Sequence, residues 1–225
     1  MKNSLTRLLI TFGIFAAAMA YLESAIVVYL REIYYPGGFQ FPLRIIQNRI
    51  AVIEIGREAA TVIMLWFITR MATDKFKNQF ALFIYAFGIW DISYYLWLKI
   101  FIGWPAYFME WDILFLIPLP WIGPWLAPVI VSIGFIASGV LVLKYSEKFP
   151  SSLFTWKEWI FMIIAAGIII GSFLWETGEV LQGSVPDYYP WWLFFLGYIL
   201  GWAVFIRRLL TGSSKNSNVS PPSSS

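Results

Sequence analysis

Neither cysteine nor histidine occurs anywhere in the 225 residues. Their absence removes disulfides, zinc sites built on thiolate or imidazole, haem held through His, and every Ser–His or Cys–His nucleophile pair. A metal ion, if bound, has to be held by carboxylates, carbonyls, hydroxyls and water, which select hard cations. Charge is scarce too, at 13% of residues, where a soluble domain carries about a quarter. What fills the chain instead is apolar: 60% hydrophobic, with 20% aromatic. That balance points to a lipid bilayer as the solvent. At about 20 residues per helical span, the length accommodates roughly five to seven spans in one bundle, with no separate soluble domain.

The apolar runs predict an all-α membrane protein, a six-helix transmembrane bundle with spans over about 8–30, 50–69, 80–102, 125–143, 159–175 and 191–206. The first run opens like a signal peptide, with Ala18-Met19-Ala20 as an A-x-A site, but continues to Leu30, long enough to span. We expect it to be kept; cleavage after residue 20 is the alternative. Between the third and fourth runs lies WPAYFMEWDILFLIPLPW, from Trp104 to Trp121. Its apolar core is too short to cross, and Pro118, Pro120 and Pro124 break any helix. It reads as a re-entrant or interfacial hairpin. Residues 1–210 then form one transmembrane domain, and the Ser-, Asn- and Pro-rich stretch 211–225 a disordered cytoplasmic tail.

The distribution of charge orients this scheme. With six spans, the N-terminus, the 2–3 and 4–5 loops and the C-terminus share one side. That side holds eleven of the sixteen basic residues and three of the thirteen acidic ones, Asp74, Glu147 and Glu158. Five basic residues face ten acidic ones elsewhere. By the positive-inside rule the basic side is cytoplasmic, so both termini are expected there. Trp104, Trp111, Trp121, Trp125, Trp191 and Trp192 fall mostly at span ends, as an interfacial belt does, and read that way rather than as a pigment or quinone pocket. Gly134, Ser138 and Gly139 read as a helix-packing face.

One stretch breaks the apolar rule from inside a span. IEIGREAATVIM, from Ile53 to Met64, carries Glu54, Arg57 and Glu58. On a helix Glu54 and Glu58 are i,i+4 neighbours, Arg57 sits i+3 from Glu54, and Thr61 continues the stripe. Charges at that depth cost a few kcal/mol or more, so they turn to a bundle interior and find partners there. Placing the spans on a common axis at about 1.5 Å per residue puts Asp91 near the midplane. Glu58, Glu23 and Glu54 then lie successively further towards the outside. Arg57 is the only base at comparable depth, although Arg31, Lys99 and Arg44 stand at the outer edge within snorkelling reach. Glu23, Glu54, Arg57, Glu58 and Asp91 are therefore expected to form a buried acidic centre, with Tyr95 donating a hydrogen bond to it. Glu110 and Asp112 are expected at the wet outer surface.

Such a centre needs a proton or cation to offset its excess charge. The leading expectation is a protein that binds or transports a cation, proton or small solute. A metal would be Na⁺, Mg²⁺, Ca²⁺ or Mn²⁺ held by Glu54, Glu58 and Asp91. Two carboxylates would equally serve a membrane-embedded enzyme acting on lipid or envelope precursors at the outer leaflet, but no catalytic motif supports one. The third alternative is an accessory subunit whose acids serve assembly in a membrane complex. Besides the bilayer, the sequence leaves open a homo-oligomer or a membrane-complex partner. The basic residues form no continuous face for nucleic acid.

The stretches YLREIYYPGGFQFPL, WDISYYLWLK and EWDILFLIPLPWIGPW resemble those of an uncharacterised family of bacterial polytopic integral membrane proteins. The resemblance covers most of the chain short of the tail. It implies a bacterial inner-membrane setting and carries no activity and no site residues.

Overall fold

In lipid a backbone has to satisfy its own hydrogen bonds, so long apolar runs fold as helices. A computed structural model describes residues 2–44, 48–148 and 152–215. In it the runs become α1 (Lys2–Tyr34), α2 (Asn48–Ala72), α3 (Phe76–Ile102), α4 (Leu126–Lys144), α5 (Trp156–Phe173) and α7 (Trp191–Lys215). Between α5 and α7 lies a single short helix, α6 (Thr177–Leu181). It takes up residues that the hydropathy pattern places at the end of the fifth span. Helix α1 runs unbroken through Ala18-Met19-Ala20. The starts and stops have local causes. Thr155 and Glu158 form a capping box that opens α5. Gly103, at φ 69°, closes α3 in the left-handed region, its N–H returning to the Lys99 carbonyl. The last helix continues beyond the expected start of the tail at Thr211, through Lys215. Residues 216–225 of that tail lie outside the described residues.

Among the described residues five helices, α1, α3, α4, α5 and α7, are long and apolar enough to cross a membrane, which marks a multi-pass membrane protein. Helix α2 is 25 residues long but is kept out of that set by its charges. Its pattern of exposure is nonetheless telling. Glu54 and Glu58 are 6% and 9% exposed, while Val52 and Ile53 are 68% and 53% exposed. Thr61, Leu65 and Thr69 continue the buried stripe. A helix that buries its acids and shows its aliphatic side chains is the inverse of a water-facing amphipathic helix.

Helix α3 is the central post. It packs against α1 on one side and α4 on the other, with α2 alongside, while α5 pairs with α7. Two glycines bring α3 and α4 together. A Cβ on Gly88 would lie 2.6 Å from the Ser132 carbonyl oxygen, and one on Gly139 2.6 Å from that of Ala81. Gly197 serves α5 and α7 in the same way against the Ala165 carbonyl. Of the expected packing face on α4, Gly139 abuts α3, whereas Gly134 abuts Tyr198 of α7.

The stretch between α3 and α4 holds a two-stranded antiparallel sheet, β1 (Trp111–Phe115) and β2 (Trp121–Pro124), with Ile113 opposite Ile122 and an irregularity between Ile113 and Phe115. Prolines 118 and 120 occupy the turn, where no ladder N–H is needed. The Thr177 hydroxyl donates to the Pro120 carbonyl at 2.7 Å and ties this turn to α6. Among the described residues this is the one strand pair beside the helices.

Candidate functional site

The inward stripe of α2 meets α1 through side chains. Arg57 forms ion pairs with two carboxylates, Glu54 on its own helix at 2.8 Å and Glu23 on α1. The second oxygen of Glu23 accepts from the Thr61 hydroxyl at 2.6 Å. The next residue, Ser24, donates to the Tyr94 carbonyl at 3.1 Å and fastens α1 to α3 beside this cluster. Glu58 turns elsewhere. Its carboxylate accepts the backbone N–H of Leu116, just past β1, at 2.8 Å. Two buried carboxylates therefore pair with one guanidinium and a third, Glu58, lies one turn along α2 from Glu54, so two negative charges are in excess when all three are ionised.

Two expected members stand apart. Asp91 faces α4, where the Ser132 hydroxyl donates to it at 2.8 Å. Tyr95 makes no hydrogen bond to any of the acids among the described residues. Its ring packs between Trp104 and Trp125, with centroids 6.1 and 5.5 Å away. Both departures come from rotation about the α3 axis. Depth brings Asp91 level with the other acids, but its azimuth points it at α4. Among the described residues no group of three or more acids is placed to hold a metal ion, so Glu54, Glu58 and Asp91 are not assembled as a set.

Asp112 corrects the expectation of a wet surface. It is 2% exposed and accepts from Arg31 at 2.9 Å. Arg31 reaches in from the end of α1, its guanidinium carbon 3.9 Å from the Trp104 ring centroid and 4.6 Å from that of Phe39. Burial pushes the Asp112 carboxyl up to about 6, against the pull of Arg31. Glu110 is used locally, accepting from the N–H groups of Ala106 and Tyr107. Lys99 spends its donors on the Gly103 and Pro105 carbonyls. The hairpin is thus held to the helices at both ends of β1, by Arg31–Asp112 and by Glu58–Leu116.

From sequence Arg31 stood within reach at the outer edge and Asp112 at the wet surface, but their pairing with each other was not foreseen, nor were the roles of Ser132 and the Leu116 N–H. Comparison with protein-family models, curated proteins and solved structures finds no match.

Proposed function

We propose that this is a six-crossing protein of a bacterial-type inner membrane, with α2 as the sixth crossing, both termini cytoplasmic and the hairpin re-entrant or interfacial at the outer side. In this reading the cluster of Glu23, Glu54, Arg57 and Glu58 is a proton or cation site serving small-solute binding or transport. The observation that carries it is the charge count: three buried carboxylates around one guanidinium. A low-dielectric site does not keep two excess charges without a counter-ion. A proton is the occupant this arrangement supports best, since among the described residues no three acids converge into a cage for a divalent ion.

Glu58 supplies the mechanical link. Ionised, it makes a charge-assisted bond to the Leu116 N–H, roughly twice as strong as a neutral one. Proton uptake weakens that bond and with it the hold of α2 on the hairpin. Arg57 pairs with Glu23 and Glu54, whereas Glu58 is in no ion pair among the described residues and is held by the Leu116 N–H; in this reading Glu58 is the member that takes the proton.

The test is thermal unfolding of the detergent-solubilised protein, wild type against Glu58→Gln, across about pH 5 to 8 and with Na⁺, Mg²⁺, Ca²⁺ or Mn²⁺. Asp112 titrates in the same window in both proteins, so the reading is the difference between them. The gap in melting temperature should change with pH or narrow with a cation. Parallel curves throughout, with no cation effect, would remove the proposal.

A further inference from the structure

A cavity of about 540 Å³ lies between the α3–α4 pair and the α5–α7 pair, closed at one end by the hairpin. That is within the range of about 300–1,000 Å³ typical of sites for drug-sized molecules. Its walls are aromatic and aliphatic; Phe87, Trp90, Phe115, Trp121, Tyr198 and Trp202 contribute rings from α3, α7 and both sides of the hairpin. Among the described residues lining it there is one charged side chain, Asp91, and no base. Asp91 is in no ion pair among the described residues, and Ser132, also in the wall, orients it through the hydrogen bond at 2.8 Å. The Arg57 cluster does not line this space, so the site is separate from the one proposed above and does not rest on it.

We infer that the cavity binds lipophilic organic cations, with Asp91 as their counter-charge and the surrounding rings as the apolar, cation-attracting wall. The charge pattern selects this class. A fatty acid or phosphate-bearing lipid would bring a second negative group to a carboxylate with no base nearby. A neutral hydrocarbon would fill the volume and leave Asp91 unanswered. An aromatic cation satisfies both features, because the faces of Trp, Tyr and Phe rings attract positive charge and the remaining surface is buried in apolar contact. Ser132 acts as a positioning residue, fixing the carboxylate in the wall.

The experiment uses two probes of the same shape and opposite charge, tetraphenylphosphonium and tetraphenylborate, titrated into the full chain in an uncharged maltoside detergent. Binding is read by equilibrium dialysis and by quenching of tryptophan fluorescence. The wild type should bind the phosphonium saturably and the borate not at all. Asp91→Asn, whose amide oxygen still accepts from Ser132, should lose phosphonium affinity at least tenfold. Gly201→Phe should lose it similarly while keeping Asp91. Gly201 lines the cavity, and a Cβ there meets only the Ala165 Cβ, at 3.8 Å. Equal binding of the two probes would overturn the inference, as would wild-type affinity in either variant. Should Asp91→Asn fail to fold, the Gly201→Phe arm still decides.

Discussion

Arg57 holds two carboxylates from different helices, and its side chain is 18% exposed. Taking it away strands both acids where water cannot reach them well. Arg57→Leu should therefore lower stability by about 3–5 kcal/mol, as breaking a buried pair does. Glu54→Gln added to that background should recover part of the loss, because one of the stranded charges is gone. Thermal unfolding in detergent measures both; an Arg57→Leu protein as stable as wild type would show that the cluster carries no net ion pairing. The Glu54–Arg57 contact was legible in the sequence from helical spacing alone, and Glu23 from depth. Arg31–Asp112 was not. Its partners are 81 residues apart, and no periodicity relates a helix end to a strand start. Asp91 was legible as lying inside an apolar run and illegible as to partner, since hydropathy gives position along a helix but not which neighbour a face meets.

At the scale of elements, two glycines in similar settings by sequence have opposite roles. Gly139 sits in α4 against α3, and an added methyl would collide with the Ala81 carbonyl oxygen and Tyr85 Cβ, at 2.6 and 3.0 Å. Gly171 in α5 has nothing within 4 Å of the same position. Gly139→Ala should cost about 1–3 kcal/mol by overpacking. Gly171→Ala should be neutral or stabilising by up to about 1 kcal/mol, because alanine loses less backbone freedom in a helix. Paired unfolding curves test the contrast, and equal shifts for the two would contradict the α3–α4 packing described. The apolar runs located the long helices well, since lipid-length hydrophobic stretches admit few other structures. They fell short at the ends, where α1, α2 and α7 carry on into charged residues. Backbone hydrogen bonding propagates past the point where hydropathy drops. The strands could not be read, because WDILF is as apolar as a helical turn and owes its form to pairing with a segment beyond the prolines.

The molecule as a whole falls into two packed groups, α1 to α4 around α3 and α5 with α7, joined through the hairpin and through a buried cluster of Ala81, Val142, Leu153, Phe154 and Phe205. The six-crossing arrangement can be tested by single cysteines, since the chain has none of its own. Gly38 and Gly183 adopt positive φ, 97° and 93°, and are poor sites for a side chain. Gly37→Cys and Ser184→Cys avoid that strain at exposed positions. Both should react with a membrane-impermeant maleimide on intact cells or spheroplasts, and Asp74→Cys only after permeabilisation. Labelling of Asp74→Cys from outside, or of the other two only from within, would remove α2 as a crossing or reverse the orientation.

The two ties on the hairpin also set an order of events during synthesis. Arg31 leaves the ribosome 81 residues before Asp112, and Glu58 emerges 58 residues before Leu116. At ordinary translation rates each waits about 3–16 s for its partner. During that interval α1 and α2 have already been made, with a guanidinium and a carboxylate awaiting residues not yet synthesised. Arg31, close to the end of its helix, bridges the wait by extending to the headgroups. Glu58 lies mid-helix, well away from the ends of α2, and has no such exit. The ties that fix α1 and α2 to the hairpin therefore form only once the hairpin itself has been made.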